Sequence, residues 1–219
     1  MNPKQASAYY NRALIKESQS DMGGAAGDYM KTISLDERNE DAYIGLGVIM
    51  AKSGNFNDAM VNFDKALTLN PKNAAVFANR ALAKNYMHDF NEAIVDCNKA
   101  ISLTDTLAIA YSNRGFAKNQ LKDYNGAIID LKKAISINAK DPIAFLNIGN
   151  STASLGNYAA AIQYYNEAIK LNPKYGDAYN NRGIAKYFSV NKKGACADLN
   201  NAAALGFSAA KQNLSKYCK

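Results

Sequence analysis

The sequence predicts an all-α fold: a right-handed α-solenoid of six 34-residue helical hairpins with a capping helix at its C-terminal end. Three observations predict it. The pattern Asn-Arg-x-x-x-Lys begins at Asn11, Asn79, Asn113 and Asn181, with separations of 68, 34 and 68 residues. Small side chains recur at fixed places in the same period. Turn residues divide each period into two helical stretches. A fixed period in the range of about 20–50 residues marks units that bury their apolar faces only against their neighbours.

The period divides the chain without insertion into frames 6–39, 40–73, 74–107, 108–141, 142–175 and 176–209. Early in each frame stands a small residue: Ala13, Gly47, Ala81, Gly115, Gly149 and Gly183. Later come Ala25, Ala59, Ala93, Ala127, Ala161 and Ala195, and then Thr32, Ala66, Ala100, Ala134, Ala168 and Ala202. Between these last two rows lie Tyr29, Phe63, Cys97, Leu131, Tyr165 and Leu199. Spacings of three and four place them on one helical face, where small residues let two helix axes approach. Turns are read at Gly54–Phe56, His88–Phe90, Lys122–Tyr124 and Gly156–Tyr158, and Pro71 and Pro173 close two frames. Frame one carries Gly23, Gly24 and Gly27 in its second helix, which is therefore expected to be loose. After Phe207, a cap helix over 208–217 is expected, with Ser208 as its N-cap and Ala210, Leu214 and Tyr217 on one face.

The pattern resembles the tetratricopeptide repeat, most clearly in Ala144–Pro173, and the resemblance covers residues 6–209. The Trp usual early in that repeat is replaced by Tyr9, Tyr43, Phe77, Tyr111, Phe145 and Tyr179. The resemblance implies one solenoid domain over 1–219. It also implies a non-catalytic protein–protein interaction scaffold whose first helices line a concave groove.

The Arg of the recurring motif takes a slot where frames two and five have Leu46 and Ile148. Sixteen residues later, frames with Arg carry Asp and frames without it carry Asn62 and Tyr164. This correlation predicts ion pairs Arg12–Asp28, Arg80–Asp96, Arg114–Asp130 and Arg182–Asp198 inside single hairpins. Lys16, Lys84, Lys118 and Lys186 follow the same rule, against Met50 and Thr152. Two cations at i and i+4 repel unless an anion sits between them, and the Asp supplies it. The frame types repeat as a block of three, which suggests a duplication with a period of 102 residues.

The residue before the Arg slot is Asn11, Asn79, Asn113, Asn147 and Asn181, with Gly45 in frame two. Asn is a mediocre helix former, so its recurrence asks for a reason. One reading is a row of amides, Asn79, Asn113, Asn147 and Asn181, with Asn150 and Tyr187 beside it, that holds the backbone of an extended peptide. This row resembles the asparagine ladder in the repeat domain of O-linked N-acetylglucosamine transferase. The other reading is amide bonding between neighbouring first helices, and both stay open. The Lys of the two-carboxylate clamp that binds chaperone tails is replaced by Tyr10, Ile44, Ala78, Ser112, Leu146 and Asn180, which disfavours that ligand.

Composition narrows the function further. The net charge of +7 is uneven: residues 1–107 carry 11 basic and 13 acidic side chains, residues 108–219 carry 15 and 6. The basic half keeps nucleic acid or another acidic partner as the alternative, although its lysines read as solvated faces. Self-association through the end repeats also stays open. His88 is the single histidine and sits in a turn, and the acidic residues do not gather into a dyad, so no catalytic or metal set is expected and no cofactor. Cys97, Cys196 and Cys218 lack metal-site spacing and are expected to be reduced thiols. No stretch is apolar enough for a membrane span and the N-terminus lacks the pattern of a signal peptide, so a cytoplasmic protein is expected.

Overall fold

The computed structural model describes residues 3–218. Among these residues it contains thirteen helices and no strand. The first helices of the six hairpins are α1 (Pro3–Ser18), α3 (Glu40–Lys52), α5 (Ala74–Tyr86), α7 (Ala108–Gln120), α9 (Pro142–Ser154) and α11 (Gly176–Phe188). The second helices are α2 (Met22–Leu35), α4 (Phe56–Leu69), α6 (Phe90–Leu103), α8 (Tyr124–Ile137), α10 (Tyr158–Leu171) and α12 (Lys192–Ala204). A last helix, α13, spans Ala210–Tyr217. The chain forms two compact units, Met1–Asn113 and Arg114–Lys219, whose boundary falls six residues into the fourth frame, close to the expected start of the duplicated block.

Within each unit, hairpins pack through the predicted small-residue slots. Ala25, Ala59, Ala93, Ala127, Ala161 and Ala195 are fully buried, and so are the bulky side chains Phe63, Leu131 and Leu199. Gly115 shows why the slot is small: a Cβ there would stand 2.6 Å from Leu131 Cγ and 3.2 Å from the Ala127 carbonyl oxygen. The Tyr29 ring of frame one lies where a Cβ on Gly45 would project, with its atoms 2.6 and 2.9 Å from that point. Frame two therefore breaks the Asn row for a packing reason. The Tyr29 hydroxyl donates to Glu17 at 2.6 Å.

The mid-frame turns share one geometry. Ser20, Gly54, His88, Lys122, Gly156 and Val190, spaced by 34, all have φ between 63° and 81°. Each turn is closed by a backbone bond from the next residue to the carbonyl five residues back, as in Asp89 N–H to Lys84 O and Asn191 N–H to Lys186 O, both 2.9 Å. That next residue is Asp or Asn in every frame, and it opens the second helix. Asp21, Asp123, Asn157 and Asn191 each accept from the backbone N–H three residues on. Only at Gly54 and Gly156 is the left-handed turn free of Cβ strain.

Three sequence expectations are corrected. The second helix of frame one is regular over Met22–Leu35, because Asp21 caps it and Ala25, Ala26 and Tyr29 bury its face. Ser208 is not an N-cap: α13 starts at Ala210, after Ala209, with no side-chain cap. Cys196 and Cys218 are not free thiols but a disulfide that joins α12 to the residue after α13. Cys97 lies outside this disulfide and is buried. No helix among the described residues is long and apolar enough to cross a membrane.

These packing and turn constraints have opposite signs under substitution. Val190→Gly relieves a β-branched residue in the left-handed region and is expected to stabilise by about 1 kcal/mol. Gly115→Ala pushes against Leu131 and a backbone carbonyl and is expected to destabilise by about 1–3 kcal/mol. Urea unfolding midpoints of the two variants check both.

Candidate functional site

Two arrangements gather polar groups on the first helices: buried charge triads, and a hollow beside a row of amides. The triads come first because they fix the helices that carry the amides. In each of four hairpins, Arg Nε donates to Asp Oδ2 at 2.8 Å and Arg Nη2 donates to Oδ1 at 2.6 Å, a two-pronged contact. The pairs are Arg12–Asp28, Arg80–Asp96, Arg114–Asp130 and Arg182–Asp198. Lys16, Lys84, Lys118 and Lys186 complete them, each with Nζ 2.8 Å from the same Oδ2. All four carboxylates are buried.

The arginines also do something that the sequence pairing did not show. Arg80 Nη1 donates to Asp64, and Arg182 Nη1 donates to Asn166, both on the second helix of the preceding hairpin. These partners sit two residues beyond the Asp slot. Each of these two arginines thus ties its own hairpin to the one before. The guanidinium groups of Arg12, Arg80 and Arg182 also stand 5.0, 5.4 and 5.3 Å from the ring centres of Tyr9, Phe77 and Tyr179. The Arg12 side chain is 57% exposed, against 18%, 18% and 16% for the other three.

The Arg12 guanidinium, hydrogen-bonded to Asp28, holds that carboxyl well below the usual carboxylate range. Burial opposes this shift, and Lys16 adds to it. Tyr29 and Tyr165 are shifted up, in both cases chiefly by burial.

The amides of the Asn row are not equivalent. In the first unit, Asn113 is buried and its Nδ2 donates to the Ala78 carbonyl at 2.9 Å, while its own backbone carbonyl accepts from Asn85 at 3.0 Å. Asn79 is half-buried, and its side-chain amide makes no intramolecular hydrogen bond among the described residues. It lines a hollow of about 580 Å³ with Val48, Phe56, Leu82, Tyr86 and Ile109, with Lys52 also on its wall. Phe56 and Tyr86 stack there, ring centres 5.3 Å apart and 8° from parallel.

In the second unit, Asn181 donates to Asn150 Oδ1 at 2.9 Å and accepts from Asn180 at 2.9 Å. Asn150 Oδ1 also accepts from the Tyr165 hydroxyl at 3.0 Å. Asn147 is buried. The stacked aromatic pair recurs 102 residues on as Tyr158 and Phe188, centres 5.1 Å apart. Here Tyr187 and Tyr217 join it, with their own centres 4.7 Å apart. His88 packs edge-on against Phe90 in its turn. Among the described residues, no three His, Cys, Asp or Glu side chains are placed to hold a metal ion.

The triads predict a non-additive stability pattern. Asp96→Ala removes the buried carboxylate that two cations of low exposure share, leaving them only the exposed Asp64 and Glu92, and is expected to cost about 3 kcal/mol. Replacing all three charges with the frame-two solution (Arg80→Leu, Lys84→Met, Asp96→Asn) is expected to cost less than that single change, as read from denaturant unfolding. Asp28 sets a pH dependence. Its folded pKa lies below its unfolded one, so its contribution is full above about pH 5 and is lost as pH falls toward the folded value. Stability is expected to drop between about pH 5 and pH 2, and to drop less for Asp28→Asn, in urea titrations across that window.

Three tetratricopeptide repeat models match the chain, at residues 40–73, 108–141 and 142–175. No curated protein matches it. Among solved structures, it is similar to the MamA protein at 24% identity over 78% of this chain and 93% of that one, with a TM-score of 0.64. It is similar to PilF of Pseudomonas aeruginosa at 18% identity over 97% of both chains, TM-score 0.82. It is also similar to YrrB at 20% identity over 86% of this chain and 97% of that one, TM-score 0.63. The chain thus carries tetratricopeptide repeats, matched over three of its six hairpins.

Proposed function

We propose that the protein is a non-catalytic interaction scaffold that takes an extended segment of a partner protein along its first helices. The observation that carries this reading is the unpaired amide of Asn79 in a hollow with apolar and aromatic walls. An amide there offers one donor group and one acceptor to a peptide backbone, while Val48, Leu82, Ile109 and the Phe56–Tyr86 stack receive an apolar side chain. Asn113 and Asn181 have partners within the fold, so their share in a ladder requires those bonds to be exchanged on binding. YrrB, which shares the fold, is a TPR protein with an unusual peptide-binding site.

The test starts from random peptides selected on the wild-type protein. Their affinity is then measured by calorimetry against wild type, Asn79→Ala and Leu82→Lys, at low and high salt. Asn79→Ala is expected to weaken binding about tenfold, the worth of roughly one hydrogen bond near 1.4 kcal/mol. Leu82→Lys is expected to abolish it. Peptides that bind both variants as tightly as wild type sink the reading. Capture of nucleic acid by all three proteins, shed by salt, replaces it with the basic-half alternative.

A further inference from the structure

One stripe on α1 has the form of a packing surface but is exposed. In frames two, three, five and six the first helix turns three buried or half-buried positions, spaced by four and three, toward the preceding second helix. Ala42, Leu46 and Ile49 share a core cluster with Ala25, Ala26 and Tyr29 of α2. Ala178 and Ala185 share one with Tyr165, Ala168 and Ile169 of α10, and Arg182 between them bonds Asn166. The equivalent residues of α1 are Ala8, Arg12 and Ile15. Ala8 is exposed, and Ile15 is 56% exposed although its counterparts Ile49, Ala83 and Ala185 are buried.

The complementary surface exists at the other end of the chain, under a bolt. The positions of a second helix that meet the next hairpin are Ala26 and Ile33 in α2 and, with the position between them, Ile162, Asn166 and Ile169 in α10. In α12 they are Cys196, Asn200 and Ala203. Cys196 therefore lies on the stacking face itself, and its bond to Cys218 fastens α13 beside that face. Apart from this bond, α13 is held by its packing on α12 and α11. It has eight residues, no side-chain N-cap and one buried side chain, Ala210. Asn213 donates to Asn180, and Tyr217 touches Tyr187. A helix of two turns has little stability of its own.

We infer that α12 of one copy docks on the Ala8–Arg12–Ile15 stripe of a second copy, and that the Cys196–Cys218 bond blocks this head-to-tail contact by holding α13 in place. Charge and size both fit. Arg12 meets the Asn200 amide as Arg182 meets Asn166, and Ile15 meets the small Cys196 as Ile49 meets the small Ala26. The release step is a thiol–disulfide exchange: a dithiol reductant gives two electrons and two protons, the S–S bond breaks into two thiols, and the reductant closes its own disulfide. The contact is heterologous, so copies add in a row rather than closing as a pair.

Sedimentation velocity over a concentration series tests this with the full chain, oxidised, with dithiothreitol, and as Cys218→Ser. The oxidised protein is expected to stay monomeric. Reduction or Cys218→Ser is expected to give concentration-dependent oligomers, and adding Ile15→Lys or Asn200→Lys to Cys218→Ser is expected to return monomers. Both added changes lie on exposed residues, and circular dichroism checks that helicity is kept. A monomeric Cys218→Ser protein at every concentration overturns the proposal. So does an oligomer that survives both lysine variants, or an oligomer of the oxidised form that Ile15→Lys leaves unchanged.

Discussion

A helical hairpin of this kind cannot cover its own apolar face, and everything else in the structure follows from how closely the next helix can approach. The approach is set by slots without side-chain bulk. At Gly115 there is no room for even a Cβ beside Leu131 and the Ala127 carbonyl. Such contacts fix the helix register to a fraction of a turn. Once the register is fixed, each arginine of a triad reaches its carboxylate with both prongs, and the same distances recur in four hairpins. The charge chemistry is thus downstream of the packing, although it then ties hairpins together through Asp64 and Asn166.

What was legible in the sequence was what repeats. The 34-residue period, the small and large slots and the joint presence of Arg and Asp are visible because six frames vary around one geometry. What was not legible depends on single frames. The break at Gly45 needs the Tyr29 ring, which leans out of its own hairpin. The second partner of Arg80 lies two residues beyond the slot that pairing by frame selects, because the guanidinium fork spans two helices at different heights. The disulfide needs α13 to fold back so that residues 22 apart in sequence meet. Among the amides, Asn79 and Asn113 occupy the same repeat position. Which of them is free is decided by the neighbouring carbonyl of Ala78, and no pattern of residue types records that.

The two units differ in a way that bears on recognition. Each carries a stacked aromatic pair at the same position of the duplicated block. In the first unit the pair borders an open hollow with an unpaired amide. In the second, the corresponding amide is bonded to Asn150 and Asn180, and further aromatic rings lie against the pair. The two units thus carry similar aromatic pairs, and local side-chain differences leave the first one beside an open hollow.

The triads also constrain how such a chain can change over time. Loss of the Asp leaves two cations without their shared partner, and loss of either cation removes part of the carboxylate's compensation, so the one-step neighbours are expected to be worse than either endpoint. Frames two and five, with Leu46, Met50 and Asn62 or Ile148, Thr152 and Tyr164, show that uncharged endpoints exist. The path between the two solutions crosses a fitness valley three mutations wide. Copying a whole block of frames avoids that valley, because it carries complete triads across together, and the 102-residue periodicity has the form that such copying leaves.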